Sequence, residues 1–172
     1  GKLLNLERHM KRLSKSLIDL QIRKPFSNQN SLKIIIHHLL KLNDVDDGFL
    51  YLQVTRGTSK RNHLFPSQVK PNIVIFTFSK VGLDKIKKGV NIGLTKDQRW
   101  MRCDIKSISL LANVLDKQRG FERGFFEVWQ LRKNLITEGT TSNAFIVNKQ
   151  KHIYTHPKNN LILGGVTRDC VI

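Results

Sequence analysis

Cysteine is scarce in this chain, and the two that are present exclude whole classes of fold. Cys103 and Cys170 cannot build a multi-bridge disulfide framework, and no CxxC pair offers a metal site. Long apolar runs are missing too. No stretch approaches the roughly 18 to 20 residues that a bilayer-spanning helix needs, and the first helix-like segment is charged throughout, unlike a signal peptide. Nothing argues for export, so a reducing cytoplasm is the expected location. No internal repeat or low-complexity segment is found in the 172 residues. Acidic residues are few, 13 against 30 lysines and arginines, which leaves a formal charge of +17. Such a balance invites a nucleic-acid partner, because lysine and arginine release counterions from phosphates. The lysines, however, are spread through every segment, and no stretch interleaves aromatic and basic residues as a single-strand groove would. A solvated basic surface is the expected reading, with a basic nucleic-acid-binding module as its rival.

What is there suffices for a packed interior: 40% of the residues are apolar, enough for one ordinary domain or parts of two. The chain opens on Gly1 rather than methionine, and a helix-like start at 166–172 ends soon after it begins, so a piece of a longer protein is expected. Leu6, Met10, Leu13, Leu17 and Leu20 recur at three- and four-residue intervals and predict an amphipathic helix with Asn5 as its cap. Leu32, Ile35, Ile36, Leu39 and Leu40 predict a second helix over Ser31–Leu42. Phe49–Val54 and Ile73–Phe78 read as strands on either side of a loop that holds Arg56, Gly57, Arg61 and His63. The polar, lysine-rich stretch after Phe78 is the candidate linker. Beyond it come a short strand near Val90–Thr95 and a helix over Ile108–Lys117, with Leu111, Val114 and Leu115 on one face. Two hairpins follow, Phe125–Arg132 with Leu135–Glu138 and Ala144–Val147 with His152–Thr155. A Gly164-Gly165 turn then opens a helix at Val166.

Composition and periodicity stop at a mixed α and β protein. Three local strings carry more. One is Arg99-Trp100-Met101-Arg102-Cys103-Asp104-Ile105-Lys106-Ser107, followed by 110–115 and Lys117-Gln118. Another is Thr137-Glu138-Gly139-Thr140-Thr141-Ser142-Asn143-Ala144-Phe145. The third runs from Thr55-Arg56-Gly57 through Arg61-Asn62-His63 to Leu64-Phe65-Pro66. Together they closely resemble the D-amino acid aminotransferases of the class IV, or branched-chain-like, fold type, and the likeness extends from the first helix to the final Gly165-Val166-Thr167-Arg168-Asp169. The resemblance implies the two-domain α+β fold of class IV pyridoxal-phosphate enzymes, incomplete at both ends. Residues 1–78 would form the small N-terminal domain without its opening strands, 79–89 the linker, and 90–172 the start of the large cofactor-binding domain.

Each candidate residue has an ordinary reading and a chemical one. A single lysine in so basic a chain belongs on a solvated surface, but the resemblance makes Lys106 the residue that holds pyridoxal 5′-phosphate and carries the substrate proton. That amine must be neutral to react, which burial or nearby cations favour, and Arg99 and Arg102 are candidates for such cations. Glu138 could merely cap a turn; the resemblance makes it the carboxylate that keeps the cofactor's ring nitrogen protonated. Val166 and Thr167, at a helix start where free N–H groups favour an anion, and Arg12, on the first helix, match the family's phosphate contacts. Leu163 matches the residue that packs on the ring, against the plain alternative of a core leucine. Arg61 and His63 match the pair that clamps the substrate α-carboxylate across a homodimer interface. Thr140-Thr141 stand where serines are usual, and Phe126 and Trp129 also depart from the pattern, which leaves the side-chain preference open. The implied reaction moves an amino group from a D-amino acid to a 2-oxo acid. The alternatives within the fold are an aminodeoxychorismate lyase and a branched-chain L-aminotransferase, neither of which typically shows Arg61-x-His63 beside this lysine string. An inactive fragment is the further rival, and no metal is expected.

Overall fold

A computed structural model describes residues 2–79 and 88–172, which fall into two compact units, Gly1–Gly82 and Leu83–Ile172. Of the expected linker, residues 80–87 lie outside the described residues. Among the described residues, no helix is long and apolar enough to cross a membrane.

In the first unit, helices α1 (Leu6–Asp19) and α2 (Gln29–Leu42) precede an antiparallel pair, β1 (Gly48–Thr55) and β2 (Asn72–Ser79). The strands alternate as a half-buried pair must. Leu50, Leu52, Ile73 and Ile75 pack with Met10, Leu32 and Ile36 of the helices. Phe49, Tyr51, Phe76 and Phe78 stay exposed on the other face, with Tyr51 and Phe76 stacked at 4.8 Å. Asn5 does occupy the cap position of α1, but in a left-handed conformation and without a side-chain cap bond, so its backbone rather than its amide starts the helix. The second helix begins at Gln29, two residues before the expected Ser31, because the Asn28 side chain accepts from Ser31 N at 2.9 Å.

In the second unit, β3 (Ile92–Lys96) pairs in parallel with β4 (Glu127–Arg132), and helix α3 (Leu111–Glu122) makes the crossover that parallel strands require. Strand β5 (Leu135–Gly139) returns antiparallel to β4 through Lys133 and Asn134, which take φ values of 50° and 62° as a two-residue hairpin turn demands. A small hairpin, β6 (Ile146–Val147) with β7 (Ile153–Tyr154), is shorter than its apolar pattern suggests, and α4 (Val166–Val171) ends the unit.

Helix α3 departs most from the sequence reading. It starts at Leu111 rather than Ile108, because the Ser107 hydroxyl accepts from Ser109 N and turns the chain locally, and it runs on to Glu122. Leu111, Val114 and Leu115 do share a face, yet that face is exposed. The buried face is polar and small: Asp116 accepts from Gln130 Nε2 at 3.1 Å, Asn113 donates to Thr140 O at 2.8 Å, and Gly120 lies against Val128.

A Cβ on Gly120 would meet Val128 Cγ2 at 2.2 Å. Alanine in a helix interior is otherwise favourable by roughly 1 kcal/mol, so any loss reports the clash. Gly120→Ala is expected to destabilise the protein by about 1 to 3 kcal/mol, read as a lowered midpoint in urea. Val128→Ala in the same chain should recover most of the loss, and an additive double variant would refute the contact.

Candidate active site

Three of the residues singled out from the sequence lie in the first unit. Arg12 is half-buried on α1, with Nη2 at 3.5 Å from His9 Nδ1. Arg61 and His63 are exposed in the loop between β1 and β2. The base of that loop is built firmly. Arg56 donates to the carbonyls of Leu20 and Gln21 at 2.6 and 2.8 Å, which satisfies the end of α1, and it lies 3.6 Å from the Phe65 ring centroid. Gly57 takes φ 119°, and a side chain there would meet the Lys70 carbonyl. The loop thus holds an arginine and a histidine at the surface on an anchored stem.

The other five residues lie in the second unit, and a buried polar network joins several of them. Asp97 follows β3, its backbone N–H donating to Leu131 O. Its carboxylate accepts from Arg99 Nε at 3.0 Å and Nη2 at 2.9 Å and pairs with Arg132. Arg99 also donates to Glu138 Oε1, to Thr137 Oγ1 and to Leu161 O. Glu138, near the end of β5, accepts further from Asn143 Nδ2 at 3.0 Å and from Leu163 N at 3.0 Å. Asn143 donates to Leu163 O as well, and its Oδ1 would lie 2.1 Å from any Cβ on Gly165. Glu138, Leu163 and the Gly164-Gly165 turn are therefore one hydrogen-bonded assembly. Val166 follows it buried, Thr167 is exposed, and the first-turn N–H groups of α4 have no acceptor within the helix.

Lys106 is exposed in the irregular segment between β3 and α3. The residues before it are fixed: Cys103 N donates to Asn160 O, Asn160 Nδ2 donates to Met101 O, and Cys103 and Ile105 are buried. The lysine loop is thus tied to 159–163, the stretch that Glu138 also holds. The two arginines weighed as cations near Lys106 both have acidic partners. Arg99 is matched by Asp97 and Glu138, and Arg102 by Asp104 at 3.0 Å, so neither presents an uncompensated charge.

Burial sets the titration of these groups. Glu138 is pushed up by burial, against the pull of the Arg99 guanidinium and the Leu163 N–H. Burial also works on Asp97, but hydrogen bonds from Arg99 and Arg132 outweigh it and bring the carboxyl down to about 2. The Cys103 thiol is pushed up by burial.

Asp97 and Asn143 had no assigned task in the sequence, although Asn143 stands inside an informative string, and Arg99 was weighed only as a cation beside Lys106. A further buried carboxylate, Glu127, had no task in the sequence reading either. It accepts from Thr140 Oγ1, Thr141 Oγ1 at 2.7 Å, Ser142 Oγ at 2.9 Å and Val128 N at 2.9 Å. Thr140 and Thr141, where serines were expected, thus supply the same hydroxyls to one acceptor, and they shape the turn after Glu138.

The profile of the family described as amino-transferase class IV matches residues 1–172. The chain belongs to this family. As a class IV aminotransferase chain it is 43% identical over 169 residues to the D-alanine aminotransferase of Bacillus licheniformis, covering 98% of this chain and 59% of that protein. It therefore spans less than two thirds of the length of the relatives it matches. The branched-chain amino acid aminotransferase of Escherichia coli superposes with a TM-score of 0.81 at 18% identity, covering 95% of this chain and 56% of that one. The branched-chain amino acid aminotransferase of Thermobaculum terrenum in its PLP-form superposes with a TM-score of 0.77 at 21% identity, covering 96% and 55%. Both share its mixed α and β fold.

The Glu127 cluster generates a pH dependence. Burial raises its carboxyl, but the hydroxyl and N–H donors outweigh that and hold it at about 2 in the folded chain, against an ordinary 4.5. A depressed pKa gives stability that is present above the ordinary value and is lost as pH falls through the folded one. The difference amounts to roughly 3 kcal/mol. The advantage of the natural chain over Glu127→Gln in urea unfolding should therefore shrink by about that much between pH 6 and pH 2. A constant advantage would show that the donors do not favour the ionised form.

Proposed function

We propose that this chain is the lysine-bearing part of a pyridoxal-phosphate-dependent aminotransferase that moves the amino group of a D-amino acid such as D-alanine to a 2-oxo acid such as 2-oxoglutarate. The observation that carries the reading is the assembly of Glu138, Asn143, Leu163 and Gly165, joined through 159–163 to the loop of Lys106. Identity to a D-alanine aminotransferase supports the substrate class.

The donor set fits the cofactor. A primary amine stands on a solvent-accessible loop, a buried carboxylate is kept by fixed donors, and a Gly-Gly turn leads into free backbone N–H groups. When bound, pyridoxal phosphate supplies an aldehyde for an amino group and a ring that draws electrons from the attached substrate carbon. Lys106 would hold the cofactor through its amine, and the same amine would take and return the proton at the substrate Cα. Glu138 would hold a proton on the ring nitrogen. Leu163 would pack on the ring, and Val166 and Thr167 would hold the phosphate; Arg12, in the first unit, would be a further phosphate ligand, through a guanidinium suited to two parallel bonds. Arg61 and His63 bind the α-carboxylate, reaching the site of the neighbouring subunit of a homodimer from their anchored loop.

The intact protein is expected to be yellow and to bleach with D-alanine. Borohydride reduction and peptide mapping should place the cofactor on Lys106; a label on another lysine would overturn the assignment.

Arg61→Ala removes a charged hydrogen bond worth about 1.5 to 3 kcal/mol, so kcat/KM should fall by roughly ten- to a hundredfold. Refolding Arg61→Ala together with Lys106→Ala tests the interface. If Arg61 acts across it, one site of each hybrid dimer keeps both groups and activity returns. Mixed dimers without recovery would place Arg61 in its own subunit's site.

A further inference from the structure

The proposed reaction gives Glu138 a task and leaves Arg99, Asp97 and Arg132 without one. Yet these are the groups that surround it. Arg132, Asp97, Arg99 and Glu138 form a line of alternating charges: Arg132 Nη2 lies 3.2 Å from Asp97 Oδ1, Asp97 Oδ2 accepts from Arg99 Nη2 at 2.9 Å, and Arg99 Nη1 donates to Glu138 Oε1. The side chains are 21%, 0%, 5% and 7% exposed in that order, so water screens the two middle groups hardly at all. The formal charges cancel. Asp97 engages Arg99 at two nitrogens, while Thr137 Oγ1 and Leu161 O take up more of its donors, so the guanidinium has no alternative arrangement in which it still meets Glu138.

A buried carboxylate facing neutral groups takes up a proton and then no longer compensates a positive charge. An arginine cannot give up its own proton. Protonating Glu138 would leave Arg99 balanced by Asp97 alone, a carboxylate that Arg132 already shares. The remaining contacts of Glu138, from Asn143 and the Leu163 N–H, are neutral donors; the Leu163 N–H also favours the ionised form, but less than the guanidinium does. Besides Arg99, the charge that reaches Glu138 is that of Asp97, which opposes its ionisation; the buried Cys103 thiol lies within electrostatic reach but is itself pushed up by burial.

We propose that Arg99 is a positioning residue that acts through Glu138: it keeps this carboxylate ionised, so that it can hold a proton on the cofactor's ring nitrogen, while Asp97 and Arg132 set how much of the Arg99 charge Glu138 feels. The inference rests on the cofactor reading above. A purely structural staple would tolerate any change that preserves packing. The ladder instead demands effects of opposite sign at neighbouring links: losing the Arg99 charge favours a proton on Glu138, and losing the Asp97 charge disfavours it.

The test is the titration of Glu138 in the intact protein, followed by ¹³C NMR of carboxyl-labelled glutamate and assigned by the signal lost in Glu138→Gln, with and without added pyridoxal phosphate. In Arg99→Gln the midpoint should rise by roughly one pH unit or more. Arg99→Lys should recover part of that rise, and Asp97→Asn should lower the midpoint below that of the natural chain. With cofactor added, the absorption of Arg99→Gln should change with pH around the raised midpoint. An unmoved midpoint in Arg99→Gln, or a rise in Asp97→Asn, overturns the proposal. If Arg99→Gln does not fold, Arg99→Lys and Asp97→Asn decide it by the same signs, since a lysine contact weaker than the guanidinium fork should give a small rise. A natural chain that binds no chromophore would sink the cofactor reading whatever the titration shows. A bound chromophore with an unmoved midpoint would sink only the role of Arg99.

Discussion

Burying a guanidinium is tolerable only where its charge is matched and its N–H groups find acceptors, and Arg99 is the residue on which that constraint falls. Its acceptors are four residues in three segments of the chain: Asp97 beyond β3, Thr137 and Glu138 of β5, and the Leu161 carbonyl before the Gly-Gly turn. To satisfy one side chain, these segments must converge. The apolar core of the second unit, with Cys103, Ile105, Val128, Ala144, Ile162 and Val166, is small beside the charged and hydroxyl groups buried with it. Apolar contacts can be exchanged among many arrangements at little cost, whereas a charged fork accepts few. The specificity of the arrangement therefore comes from polar groups, while the hydrophobic residues supply the drive to collapse.

The first unit divides its labour differently. Its interior is made mostly of aliphatic side chains and Met10, drawn from two helices and one face of a strand pair, with Leu3 and Phe26 packed against them. Its charged fork, Arg56, serves at the margin, where it closes the end of α1 and the stem of the loop that holds Arg61 and His63. In both units an arginine joins segments remote in sequence, once inside and once at the edge. The loop tip can then vary in sequence without loosening its stem.

The elements were legible wherever one face meets a core. The stripe from Leu6 to Leu20 and the alternation in β1 and β2 correspond to real burial, and the Lys133-Asn134 turn is local chemistry that any reader of hairpins would find. Helix α3 was displaced because its buried face is Asn113, Asp116 and Gly120, which apolar periodicity does not detect, while its apolar residues stand exposed. The family strings pointed to Glu138 and Lys106, but the partners of Glu138 could not be read from spacing: Arg99 is 39 positions away, and Asp97 is 40 from Thr137. Asn143, at five residues, lay within reach, and its place in the Thr137–Phe145 string was the available signal. Ionic networks that close over such separations are written in the fold and only indirectly in the sequence.

The outer face of β1 and β2 has a consequence for how this chain behaves in bulk. Phe49, Tyr51, Phe76 and Phe78 make a continuous aromatic surface, and among the described residues each strand of the two-stranded sheet has one edge without a strand partner. Open edges beside a flat apolar face template the stacking of further copies. What opposes that stacking is the charge of +17, which is long-ranged in dilute buffer and reaches only about 8 Å at physiological ionic strength. The colloidal stability of these residues on their own is therefore electrostatic: raising the salt, rather than the temperature, is the shorter route to a precipitate.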